Sequence, residues 1–103
     1  MARLNRLVVA GLPHHVSHRA VAGGRLFVDA ADRELFLQAL RRSSSEHGVA
    51  VHAYVLMEHE VQLLLTPVMA ENLGRMMQAL SRFYVPAFNR RHGRAGLVAQ
   101  RRE

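Results

Sequence analysis

Along "VAVHAYVLM", residues 49 to 57, Val49, Val51, Ala53, Val55 and Met57 alternate with His52, Tyr54 and Leu56. A period of two puts one set on each side of an extended chain, so the stretch predicts a half-buried strand. The alternation resumes in "EVQLLLTP", residues 60 to 67, with Val61, Leu63 and Leu65 on one face and Glu60, Gln62 and Leu64 on the other. Glu58 and His59 make a tight connection between the two runs, which predicts an antiparallel hairpin. An earlier run, "HHVSHRAV" at 14 to 21, is partly β-branched and is followed by Gly23 and Gly24, so it reads as a first strand.

Between these strands the period lengthens. Leu35, Phe36, Ala39 and Leu40 recur at helical spacing, Asp29 suits the N-cap, and Asp32 falls where the helix dipole favours an anion. Gly48 stops this helix. After Pro67 a longer helix carries Leu73, Met76, Met77, Leu80, Tyr84 and Phe88 at intervals of three and four, and Gly93 ends it. Pro86 lies inside that pattern and predicts a kink or an interruption. The final stretch, "RAGLVAQRRE", has little pattern and reads as a frayed tail or a short strand.

The order β-α-β-β-α, with an optional last strand, is that of a ferredoxin-like α+β sandwich: an antiparallel sheet with two helices on one face and the other face open. A chain of 103 residues has room for one such domain. Residues 1–12 read as an N-terminal extension, 13–96 as the domain and 97–103 as a C-terminal tail.

Composition changes the picture in three ways. Half the residues are apolar, enough for a core. Cysteine is absent, which excludes disulfides and thiolate metal sites and predicts a reducing compartment. The apolar run in "MARLNRLVVAGLP" is too short for a signal peptide or a membrane span, so the reading is cytoplasmic, with no membrane partner. All fourteen basic residues are arginine, the formal net charge is +6 and the pI is near 11.4. That surplus points to a polyanionic partner, nucleic acid first, against the plainer reading of a solvated basic surface.

On the predicted open face fall His15, Ser17 and Arg19 from the first strand, His52 and Tyr54 from the second, and Glu60 and Gln62 from the third. Two readings stand side by side. The face is polar because it is solvated, or Glu60 and Gln62, with His15 and His52 as further candidates, hold a hard ion such as magnesium or manganese. "HHVSH" does not make a cluster by itself, since His15 and His18 face opposite sides of a strand, and "HEVQ" lacks the second histidine of a zinc-protease helix. Tyr54 is a candidate nucleophile on the open face, whereas Tyr84 fits the apolar stripe and reads as core. The basic stretch "NRRHGRAG" brings Arg90, Arg91, His92 and Arg94 to a helix end, with Arg82 nearby. These arginines and Arg19 are candidate phosphate contacts, the alternative being interaction with the helix dipole.

"GLPHHVSHR" (11 to 19), "HGVAVHAYVLM" (47 to 57), "VQLLLTP" (61 to 67) and "RFYVPAFNRRHGRAG" (82 to 96) together resemble the single-tyrosine HUH transposases, and within them the REP-associated tyrosine transposases. The resemblance runs from about residue 3 to 96. It implies a ferredoxin-like fold, single-stranded or hairpin-bearing DNA as partner, a homodimer, and a magnesium or manganese ion held by two histidines flanking a hydrophobic residue. It also implies a tyrosine on a later helix that attacks the phosphodiester. In this chain the two histidine positions are Glu60 and Gln62, flanking Val61, and the chain stops at Glu103 before the family's tyrosine helix. The resemblance therefore implies a DNA-binding protein that has lost transposase activity and holds no ion. The alternatives are an active metal-dependent nuclease using Tyr54 or Tyr84, and a folded gene product with no role on DNA.

Overall fold

The computed structural model describes residues 7–20, 24–93 and the backbone of 99–100. The elements run β1 (His14–Ala20), α1 (Ala30–Glu46), β2 (Val49–Leu56), β3 (Glu60–Pro67), α2 (Ala70–His92) and β4 (Ala99–Gln100). The sheet order is β2-β3-β1-β4, and every described pair of neighbours is antiparallel. β3 lies between β1 and β2, so those two are parallel to each other and α1 bridges them across β3. This is the ferredoxin-like α+β arrangement, and the short β4 extends it at the β1 edge.

The alternation in β1 and β3 sorts their side chains cleanly. Val16, Val61, Leu63 and Leu65 are buried against the helices, while His15, Arg19, Gln62 and Leu64 lie on the other side. α1 contributes Phe36, Ala39 and Leu40, and α2 contributes Leu73, Met76, Met77, Leu80, Tyr84 and Phe88. Leu26 and Phe27, in the segment before α1, complete the core. Each fully buried large side chain contributes about 1.5–3 kcal/mol through loss of apolar surface from water. Phe27, Phe36 and Tyr84 meet edge to face or tilted, with centroids 5.3 to 5.9 Å apart, and tie the segment before α1 to both helices.

The helix ends follow their sequence signals. The Asp29 side chain accepts from the Asp32 amide at 3.0 Å and caps α1. Gly48 and Gly93 both adopt positive φ, +62° and +64°, a conformation open to glycine at little steric cost. Pro86 departs from expectation, because α2 continues through it to His92. Its ring is on the exposed side, and Tyr84 and Phe88 anchor the helix in the core on either side of it. Their burial offsets the missing backbone hydrogen bond.

A second departure lies in β2. Val51 pairs with Leu65, yet Ala53 pairs with Leu64, so His52 is the extra residue of a β-bulge. The bulge reverses the facing of everything after it. Tyr54 pairs with Leu63, a helix-side residue, and lines a groove with Leu37, Leu40, Arg41, Ser44 and Val51. Tyr54 is thus on the helix side, not the open face, and Ala53 and Val55 take the open face instead. The segment before Pro13 is also joined to the domain. Val8 packs on the core, and the Gly11 amide donates to the Pro67 carbonyl at 2.8 Å.

Candidate functional site

The open face is held by a chain of polar contacts between neighbouring strands. Register places Ser17 opposite Gln62 and Arg19 opposite Glu60. The His15 ring donates through Nε2 to the Gln62 amide oxygen. The Gln62 amide nitrogen donates in turn to Glu60 at 2.8 Å, and Arg19 Nε lies 3.9 Å from the same carboxylate. His52, at the bulge, is hydrogen-bonded to the Thr66 hydroxyl at 2.7 Å. Around this chain lie Val55 and Leu64, 54% and 37% exposed. Among the described residues the face carries the Arg19 guanidinium and the Glu60 carboxylate, opposed to each other, and the His15 and His52 imidazoles, each tied to a neighbouring side chain. Among the described residues, the Arg19 charge on this face is opposed by Glu60, which leaves no surplus for phosphates.

The donor set does not fit the ion that the family resemblance implies. Among the described residues of the face Glu60 supplies the only anionic oxygen, and the Gln62 amide is engaged through both its oxygen and its nitrogen. Among the described residues no three His, Cys, Asp or Glu side chains are grouped so as to hold a metal. Neither tyrosine is placed as a nucleophile on this face. Tyr54 points to the helix-side groove, and Tyr84 is buried with its hydroxyl donating to the Leu26 carbonyl. Burial, and then the Asp32 charge, push the Tyr84 hydroxyl well above the usual phenol range, so it stays protonated.

The arginines separate into two kinds. Arg91 is committed to α1, reaching Asp29 at 3.0 Å and Asp32 at 2.5 Å. His92 joins it through Nε2, 2.8 Å from Asp32. Asp32 is fully buried and also accepts from the Val28 amide at 2.9 Å. Burial raises its carboxyl, but the Val28 amide, His92 and Arg91 together outweigh that and hold it below the usual carboxylate range. This cluster locks the start of α1 to the end of α2 and is structural. Sequence reasoning placed Asp32 only at the dipole and Arg91 at phosphate, since nothing in the pattern showed that the two helix ends meet.

Arg75, Arg82 and Arg90 are the other kind. Glu71, Arg75, Gln78, Arg82, Pro86 and Arg90 are all exposed and recur at the spacing of one helical stripe. No ion pair among the described residues involves these three arginines. At a rise of about 1.5 Å per residue they stand roughly 10 to 12 Å apart along the helix. Arg82 also lies 5.6 Å from the Phe83 ring centroid, with Arg42 of α1 at 4.1 Å. α1, by contrast, carries three arginines against Asp32, Glu34 and Glu46. Among the described residues α2 carries four arginines against Glu71, on the opposite side of the sheet from the open face. Of the predicted phosphate contacts, Arg82 and Arg90 are on this stripe, Arg19 faces Glu60, and Arg94 lies outside the described residues. Arg75, which sequence reasoning passed over, was findable from its spacing of seven to Arg82.

Fold and surface together define a ferredoxin-like α+β domain with a self-bonded polar sheet face and an arginine-striped helix. Compared with models of known protein families, with curated proteins and with solved structures, the chain has no match. Among the described residues, no helix is long and apolar enough to cross a membrane.

Proposed function

We propose that this chain is a non-catalytic DNA-binding relative of the single-tyrosine transposases that grips phosphates through α2. The observation that carries this reading is the stripe of Arg75, Arg82 and Arg90, exposed and without carboxylate partners among the described residues. Guanidiniums spaced along one rigid helix release counterions on meeting a polyanion, and that gain does not depend on base sequence. The resemblance of the four sequence blocks to the transposases favours single-stranded or hairpin-bearing DNA as the polyanion. The engaged Gln62 amide, the buried Tyr84 and the helix-side Tyr54 support the absence of strand cleavage.

Two assays test the proposal. Fluorescence anisotropy with a hairpin-bearing single-stranded oligonucleotide at physiological salt should show binding well above that of a neutral control protein, and equal signals would sink the reading. Incubation of the labelled oligonucleotide with manganese should give no covalent adduct, and an adduct abolished by Tyr54→Phe or Tyr84→Phe would restore the catalytic alternative.

A further inference from the structure

His18 is on the helix-facing side of β1, between Val61 of β3 and the middle of α2. It is 7% exposed, and its Nε2 has no hydrogen-bond partner among the described residues. The ring borders a cavity of about 20 Å³ closed by Leu26, Phe36, Val61, Leu80, Ser81, Tyr84 and Val85. The chain thus keeps an ionisable group in a wall that is otherwise almost wholly apolar. We propose that His18 is an acid-operated latch: while neutral it packs as core, and when protonated it forces the middle of α2 away from the sheet.

The elements packed against the ring present uncharged groups to it. From α2 come Leu80, Val85, the Ser81 hydroxyl and Tyr84, whose hydroxyl is committed to the Leu26 carbonyl. From α1 comes Phe36, from β3 Val61, and from the preceding segment Leu26, none of them ionisable. On its own strand, His14 shares the face, but its Nε2 accepts from the Val9 amide at 3.1 Å and its Nδ1 donates to the Leu12 carbonyl at 2.7 Å. The nearest buried carboxylate, Asp32, is taken by Val28, Arg91 and His92. An imidazolium at position 18 would meet no counter-charge among the described residues, and a buried unpaired charge opens its surroundings or does not form. Burial accordingly pushes the His18 ring below its ordinary value.

The sign follows from linkage. A group whose folded value is depressed binds its proton more tightly in the unfolded chain, so stability is full above the unfolded value of about 6.5 and falls below it. One such site lowers the folding equilibrium constant by up to tenfold for each pH unit within that window.

Denaturant unfolding of the full chain between pH 7.5 and 5, followed by amide-exchange protection of residues 80 to 88, tests the latch. Wild type should lose folding stability as pH falls from 6.5 to 5, by at most tenfold in the folding constant per pH unit, with protection falling first in the middle of α2. His18→Phe should remove that loss. A loss of the same size in His18→Phe would assign it to other histidines and overturn the latch, as would a flat wild-type profile. Should the variant fail to fold, a nuclear magnetic resonance titration of the wild-type ring decides. A folded-state His18 that titrates at its ordinary value contradicts the proposal, and one that stays neutral to well below pH 6 supports it.

Discussion

Asp32 is the residue on which the helix layer turns. Its buried carboxylate accepts from one backbone amide and two cationic or polar side chains of α2, so replacing it leaves Arg91 and His92 facing an empty site. Arg91 keeps Asp29 and is partly exposed, so the cost is that of the acceptor lost to the buried contacts, about 1–3 kcal/mol. Asp32→Ala should lower stability by about that amount in urea unfolding, with the midpoint falling while the slope stays constant. The pH dependence has a definite sign. Arg91 and the Asp32 amide hold Asp29 low, and the balance described above holds Asp32 low. Both carboxyls therefore stabilise the fold above about pH 4, and this contribution is lost as pH falls below that. Asp32→Asn should flatten this acid limb, and an unchanged limb would contradict the assignment. Tyr84→Phe tests the other buried contact. It removes the donor to the Leu26 carbonyl and should cost about 1–3 kcal/mol in the same assay, since the carbonyl stays buried.

At the scale of elements, β1, β3 and both helices were legible because their apolar residues keep one period from end to end. Val61, Leu63 and Leu65 alternate without a break, and Leu73 to Phe88 hold the helical interval. β2 was legible as a strand but not in its facing. Its alternation continues through His52, and only the pairing with β3 shows the extra residue that moves Tyr54 to the helix side. Pro86 misled for a related reason: a local rule predicts a break, while the anchoring of Tyr84 and Phe88 is tertiary. The proline is tolerated rather than favoured. Pro86→Ala should raise stability by about 1–3 kcal/mol by restoring a backbone donor and relieving the ring's contact with the preceding turn. A drop in the thermal midpoint would show that the ring itself packs in a way its exposure does not suggest.

For the whole molecule, the candidate site was half legible. Glu60 and Gln62 fall on the open face as the alternation predicts, and the structure shows them bonded to each other and to His15, with Arg19 beside Glu60. The charge surplus was plain in the composition, but not its location. Arg91 is engaged with Asp29 and Asp32, Arg19 faces a carboxylate, and, among the described residues, Arg75, Arg82 and Arg90 stand without an ion pair on α2, behind the sheet. On the function proposed above, a polyanion would meet this domain at the helix layer, through charge rather than base sequence. The measurement that tests this most directly is the salt dependence of binding to single-stranded DNA, for wild type and for the variant Arg75→Gln, Arg82→Gln, Arg90→Gln. Three phosphate contacts predict a slope of log affinity against log salt of about −2 for the wild type. The triple variant should keep its thermal midpoint and lose most of that slope. A variant that binds with the same affinity and slope as wild type would contradict the assignment of the stripe as the nucleic-acid interface.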